Sequence, residues 1–393
     1  MQRIGEEEIE AIARVIRSKH LSRYSWKKEK VSECEFFEQE LAQKFNKEFS
    51  LLLSSGTNAL ISALVGSGVG PGDEVIIPSY TYIATPGAVL ASGAIPIIAN
   101  IDNSLSICPL DIEKRITART KAIIPVHMNG MPCDMEKIQT IAKKNKLLII
   151  EDVCQSMGGS FRGKLLGTFG DVGCFSFNNY KILTCGEGGA IITNEKKLYE
   201  RAFINHDMGV NYREYLDAFN EPIFIGQSMR SSEISGAIMR VQLNRLANIL
   251  RDLRERKSIY ESVLNKGKSF KVHISNCTEG ECGTSIILNF ESAALCTEAK
   301  VRVRKLWIFA AQLSSFFRHI VSSWEPILSQ RISHHPILNP FKQTNSSKLN
   351  IEEYQKSINL LSHSLLLFVP IEASLKETEN MAHQILAAIE KNI

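Results

Sequence analysis

Between about residues 50 and 195, short apolar runs alternate with stretches of helical spacing, and this alternation restricts the fold more than any other feature of the chain. LLLSS (51–55) precedes a helix-like NALISALVGSG, and DEVIIP (73–78) precedes an amphipathic stretch that reaches Leu90. IPIIANID (95–102), KAIIPVH (121–127) and LLIIED (147–152) follow, with a helical segment before each of the last two. Apolar β-rich runs separated by single helices predict an α/β fold, with a mostly parallel mixed sheet sandwiched by helices. DVGCFSF (171–177) and GGAIITN (188–194) lie too close together for a crossover helix, so they predict an antiparallel or edge pair. The same periodicity fits any doubly wound α/β domain.

A chain of 393 residues exceeds one typical core, so two domains are expected. The run 233–264 predicts one long helix, and the boundary is placed near 245, inside or just after it. That gives a large domain over 1–245, with an N-terminal helical segment, and a smaller C-terminal α/β domain over 246–393. HHPILNPFKQTNSSK (334–348) predicts a loop. The stretch 1–20, with Glu6, Glu7, Glu8 and Glu10 beside Arg14 and Arg17, predicts a solvated amphipathic helix without the apolar core of a signal peptide. A formal charge of +4 is too weak to argue for nucleic acid, and no run of about 18 apolar residues would span a membrane. Nine scattered cysteines without a Cys-x-x-Cys pair argue against a disulfide framework or zinc site, and for a reducing cytoplasm.

Chemistry-bearing residues gather where predicted strands end, which is where open α/β sheets place ligands. In SSGTNAL (54–60) a strand gives way to a helix whose first amides and dipole favour an anion. Gly56 permits close backbone approach, and Thr57 can cap the helix and donate to a phosphate. An ordinary capped helix would explain this segment equally well. Asp152 closes LLIIED, with Glu151 expected on the opposite side of the strand and Gln155 three residues on. In FSFNNYKILTCGEGGA (175–190), Lys181 is bracketed by Ser176 on one side and by Gly186, Gly188 and Gly189 on the other. That setting distinguishes it from an ordinary surface lysine. Tyr82, in PSYTYIATPGAVL (78–90), is an aromatic candidate that could equally be a core residue.

Taken with GPGDEVIIPSYTYIATPGAVLASGAIPIIANID, TKAIIPVHMNGMPCDM and IIEDVCQSMGGSFRGKLLGTFGDVGCFSF, these segments resemble the DegT/StrS family of sugar aminotransferases, in its order and spacing over about residues 30–250. The resemblance implies fold type I of the pyridoxal-phosphate (PLP) enzymes and PLP as cofactor. It implies transfer of an amino group from L-glutamate or glutamine to a keto sugar. PLP requires a lysine for covalent attachment, an acid at the pyridine nitrogen, an anion cradle, an aromatic face and a group near the ring oxygen. By resemblance these are Lys181, Asp152, Gly56 with Thr57 and Ser176, Tyr82, and Gln155.

The family completes its site from a second subunit, so a homodimer is implied, through a block that usually reads Asn-aromatic-Arg-Met-Ser-Glu. The matching segment here is SMRSSEISGAI (228–238). Arg230 and Glu233 fit; Ser228 stands where asparagine is usual, and Met229 and Ser231 also depart. Arg230 is the candidate for clamping the glutamate carboxylate, because its planar fork suits bidentate pairing. A dehydratase branch carries histidine in place of the lysine, and Lys181 disfavours it; a non-catalytic regulator of the same fold is the other alternative. FRHIVSSWEPILSQR (317–331) and residues 20–45 resemble members that aminate unusual sugars, one of them an eight-carbon keto-deoxy sugar acid. Residues 296–316 match no block of the family.

Overall fold

The computed structural model describes residues 4–23, 32–209, 219–333, 335–343 and 349–391. Strands β1 (Phe49–Leu53), β2 (Glu74–Pro78), β3 (Ile95–Ala99), β4 (Thr120–Ile123) and β5 (Leu148–Asp152) are followed by a small hairpin, β6 (Ser160–Phe161) with β7 (Lys164–Leu165). Next come β8 (Val172–Ser176) and β9 (Gly189–Thr193), and the main sheet runs in the order β1-β9-β8-β5-β4-β2-β3. From β8 to β3 every pairing is parallel, whereas β9 lies antiparallel to both β8 and β1. The close spacing of DVGCFSF and GGAIITN thus yields the expected antiparallel pair.

The apolar runs are continuous because both faces of the sheet are covered. Successive residues of a strand point to opposite faces. Leu51 and Leu53 enter one core while Leu52 enters another, and Ile150, Cys174 and Ile191 are separated in the same way from Ile149, Phe175 and Ile192. Helices Gly56–Gly66 and Lys196–His206 fill the first core. Helices Glu33–Lys44 and Met135–Asn145, with the first half of Glu233–Leu264, fill the second.

The expected N-terminal helix is Glu6–Ser18, and the expected long helix is Glu233–Leu264. The long helix starts at a Ser232 cap, and it passes residue 245 without a break. Leu243, Leu246, Leu250 and Leu253 pack on the large sheet, following the three-and-four spacing of an amphipathic helix. Tyr260, Val263 and Leu264 pack instead with a second sheet. That sheet is antiparallel, in the order β10-β11-β13-β12, from β10 (Lys271–Val272), β11 (Ser285–Asn289), β12 (Ala310–Gln312) and β13 (Ser364–Phe368). Between β12 and β13 the chain returns to the large sheet, where Leu313, Ile320, Val321, Trp324 and Tyr354 join its first core. Of the expected loop 334–348, residues 334 and 344–348 lie outside the described residues, and the rest forms short helical turns.

Candidate active site

Four chain segments meet at one edge of the large sheet. β5 ends there at Asp152, β8 ends at Ser176, β1 runs into Ser54–Gly56, and β9 enters from the opposite direction at Gly189. Register places Gly189 opposite both Leu53 and Ser176. A Cβ on Gly189 would stand 2.3 Å from the Ser55 carbonyl oxygen and 2.6 Å from the Gly56 nitrogen, so only glycine lets the Ser55–Gly56 loop lie over the start of β9. A Cβ on Gly56 would stand 2.6 Å from Ser176 Cβ and 3.2 Å from Cys154 Sγ. Gly56, Ser176 and Cys154 therefore surround one spot.

The helix that begins at Gly56 is capped by Ser55, whose Oγ accepts from the Asn58 amide at 3.1 Å. This corrects the expectation that Thr57 supplies the cap. The extended backbone that a cap requires occurs at Ser55 (φ −165°, ψ 161°), and Thr57 already lies inside the first turn. The Thr57 hydroxyl, the Gly56 and Thr57 amides and the Ser176 hydroxyl consequently have no hydrogen-bond partner among the described residues. First-turn amides left without partners form an anion site.

Asp152 is 4% exposed. Its Oδ1 accepts from the Cys154 amide at 3.1 Å and its Oδ2 from Thr85 Oγ1 at 2.9 Å, while Thr85 is bonded in turn to Thr81 at 2.7 Å. Among the described residues it forms no ion pair, although a buried carboxylate ordinarily has a cationic partner. Glu151 points to the other face as expected, and accepts from the Gly167 amide at 2.8 Å and the Gly170 amide at 2.7 Å.

Lys181 follows β8 in an irregular segment and is half-buried; its Nζ forms no hydrogen bond or ion pair among the described residues. The charges of Lys181 and Asp152 both act on the Cys154 thiol, which burial, foremost, pushes well above its usual range. Amine and carboxylate thus lie around the same thiol. Gln155 Oε1 accepts from the Asn129 amide at 3.0 Å, which fixes the side-chain orientation and leaves its NH₂ group without a partner among the described residues. Tyr82 is 47% exposed, so it is not a core residue; that role falls to Tyr80.

Ser228 and Arg230 lie on a segment that runs beside the strand-end edge: the Ser54 amide donates to the Met229 carbonyl at 2.9 Å, and Arg230 pairs with Leu53 in an antiparallel bridge. Arg230 donates to Asp207 Oδ1 at 2.6 Å and to Ser228 Oγ at 3.3 Å. Neither residue shares a hydrogen bond or ion pair with Lys181, Asp152, Ser176 or Tyr82 among the described residues. Glu233 caps a neighbouring helix, since its carboxylate accepts from Ser32 Oγ at 2.7 Å and from the Glu33 amide at 2.5 Å.

Among the described residues, a buried acid without a counter-ion, an unpaired amine and a set of unpaired amides make a site for a ligand that carries both a cation and an anion. The model of the DegT/DnrJ/EryC1/StrS aminotransferase family matches residues 2–306. The chain belongs to this family. GDP-perosamine synthase of Escherichia coli O157:H7 is 38% identical over 244 residues, which is 61% of this chain and 65% of that enzyme. A dTDP-3-amino-3,6-dideoxy-alpha-D-galactopyranose transaminase of Aneurinibacillus thermoaerophilus is 32% identical over 88% of this chain and 87% of its own length. The chain spans less than two thirds of the perosamine synthases from E. coli and Caulobacter vibrioides, 65% and 56%. The solved structure of 3-amino-5-hydroxybenzoic acid synthase superposes with a TM-score of 0.84 at 23% identity, over 98% of this chain and 97% of that one. For DesV of S. venezuelae the TM-score is 0.82 at 26% identity, over 98% of this chain and 95% of that one.

The family's cofactor is PLP, and the residues present fit it. Asp152 lacks a cation that a protonated pyridine would supply, and the free amides at Gly56 and Thr57 suit its phosphate. Thr85 and His319 escaped sequence reasoning. The four-residue spacing of Thr81 and Thr85, one before and one inside the helix Ala84–Ala91, was a usable signal for the first. The second had none, because His319 arrives from a region of short turns. Antiparallel pairing of Tyr80 with Ile320, with the Val321 amide donating to the Ser79 carbonyl at 2.9 Å, brings the His319 ring to 5.1 Å from that of Tyr82. Burial, above all, lowers the His319 pKa to about 4, and the nearby Lys181 charge acts in the same direction. The ring is therefore neutral, with Nδ1–H donating to the Phe316 carbonyl at 3.1 Å and Nε2 left as an acceptor.

Proposed function

We propose that this chain is a PLP-dependent aminotransferase that moves an amino group from L-glutamate or glutamine to a keto sugar during amino-sugar synthesis. The observation that carries the reading is the buried Asp152 carboxylate, without an ion pair among the described residues and bonded to the Cys154 amide beside the spot shared by Gly56, Ser176 and Cys154. The bound cofactor supplies an electron sink for bond breaking at the donor's α-carbon. Asp152, held by Thr85 and the Cys154 amide, would keep the pyridine nitrogen protonated. Lys181 Nζ would hold the cofactor and, as a free amine, would take the donor's α-proton and return a proton to the carbon on the far side of the donor nitrogen, a 1,3-shift. Gly56, Thr57 and Ser176 would hold the phosphate, Tyr82 would cover one ring face, and the Gln155 NH₂ would meet the ring oxygen.

Arg230, its direction fixed by Asp207, binds the donor carboxylate, and Ser228 donates to phosphate with a shorter reach than asparagine would have. By the family resemblance, we assign both to the site of a second subunit in a homodimer. A fully active monomer in sedimentation would contradict that assignment. Nine cysteines, none of them in a disulfide, support a reducing cytoplasmic setting.

Purified protein is expected to show the visible absorbance of protein-bound PLP, and Lys181→Ala to abolish both that band and amino transfer. A colourless wild type that takes up no added PLP would overturn the reading.

A further inference from the structure

Ser54–Gly56 lies at one end of β1, and a cavity of about 270 Å³ opens at the other, between β1 and the helices Glu33–Lys44 and Lys196–His206. β1 is an edge strand, and side chains hold its outer side at Leu52. Arg23 Nη1 donates to the Leu52 carbonyl at 2.7 Å, and the Leu52 amide donates to the Glu38 carboxylate. Arg23 Nη2 donates to both Glu38 oxygens at 2.5 Å, so these two lining charges neutralise each other. Glu35 and Glu48 also line the cavity and form no ion pair among the described residues. Phe49 and Tyr199 line it as a stacked pair, with ring centroids 4.9 Å apart and 19° between planes. Ser50 is 6% exposed, and its Oγ faces the cavity with no hydrogen-bond partner among the described residues. A buried hydroxyl left unpaired is unfavourable, and a ligand that pairs with it removes that penalty.

We infer that this cavity binds an organic ammonium ion that carries a hydroxyl group. Glu35 and Glu48 take its charge, the Phe49 and Tyr199 rings cover its apolar body, and Ser50 Oγ pairs with its hydroxyl. Among the described residues no three carboxylate, His or Cys side chains gather as metal ligands, and aromatic walls suit an organic cation. Pockets for drug-sized ligands usually measure about 300–1,000 Å³, so about 270 Å³ limits the occupant to a small molecule. Arg23 and Glu38 connect the cavity to the backbone of Leu52, but none of its groups belongs to the Lys181 site, so binding needs no PLP.

The test is calorimetric titration of the full chain, with and without added PLP. Choline and glucosamine serve as ammonium probes, with dimethylbutanol and glucose as their uncharged counterparts. At least one ammonium probe is expected to bind saturably, and its uncharged counterpart about tenfold more weakly or worse. Preference for choline would assign a quaternary ligand, and preference for glucosamine an amino sugar. Glu35→Gln should weaken the bound probe by about tenfold. Ser50→Ala should weaken it by about threefold and leave tetramethylammonium, which has no hydroxyl, unchanged. Ser50 Oγ has no partner to lose, so this variant keeps the fold. Lys181→Ala should bind the probe as the wild type does. Absence of binding by both ammonium probes, equal binding of an uncharged counterpart, or unchanged binding in Glu35→Gln would overturn the inference. Loss of binding in Lys181→Ala would overturn it as well, by placing the probe at Lys181. Failure of the Lys181 reading would appear separately, as a wild type without the PLP band.

Discussion

Two walls meet at Lys181, and they are built in different ways. One is the strand-end edge formed by Ser54–Thr57, Asp152, Ser176 and Gly189, where each functional group lies at or within a few residues of the end of a strand. The other, over 313–324, is a series of short turns that owes its place to distant partners: Tyr80 paired with Ile320, the Arg318 carbonyl held by Ile83, and Trp324 buried completely. The first wall is specified by local chain geometry, because a strand that ends in a tight turn can present its next residues in only a few directions. The second is specified by packing, so its residues acquire a role only once the core has closed.

This difference can be put at risk by substitutions on each side. The largest effect is expected from Asp152→Asn, which keeps the shape of the strand-end wall and removes its charge. Stopped-flow measurement of the glutamate half-reaction should slow by at least about a hundredfold, with urea stability nearly unchanged. A loss of stability instead would place Asp152 among the packing residues. Trp324→Ala acts on the other wall. Loss of a fully buried tryptophan and of its hydrogen bond to the Arg318 carbonyl should cost about 3–5 kcal/mol in urea unfolding and raise the KM for the keto acceptor. The glutamate half-reaction should be spared; if it fell equally, the two walls would be one unit.

The smallest effect concerns pH. His319 and His273 both have pKa values lowered to about 4, chiefly by burial. Each is neutral when folded and protonates near 6.5 when unfolded, so the unfolded state binds more protons between those values. Their contribution to stability is therefore complete above about pH 6.5 and is lost as pH falls toward 4. His319→Asn should flatten part of that slope in urea titrations at pH 5 and pH 7, and an unaltered slope would show that the ring is not held neutral by its surroundings.

The same difference explains what the sequence disclosed. The seven parallel or antiparallel segments from LLLSS to GGAIITN are visible because buried strands have continuous apolar runs and the helices between them have their own period. Asp152, Lys181 and Ser176 could be chosen because they stand at the ends of those runs. Thr57 was assigned the cap since its hydroxyl is the more obvious one in SSGTNAL, yet backbone dihedrals place the cap at Ser55. His319 left no periodic trace, since a short helical turn of three residues has too few positions to repeat a pattern. Asp207 was hidden for a similar reason: its value lies in an ion pair with a residue 23 positions away.

The helix Glu233–Leu264 gives up its leucines to one core and its last tyrosine, valine and leucine to another. A rod anchored in this way cannot swing on a hinge at its middle without tearing apolar contacts on at least one side. Entry and exit of a bulky sugar would then fall to rearrangement of turns and side chains around the mouth, with the two sheets keeping their mutual orientation through the catalytic cycle.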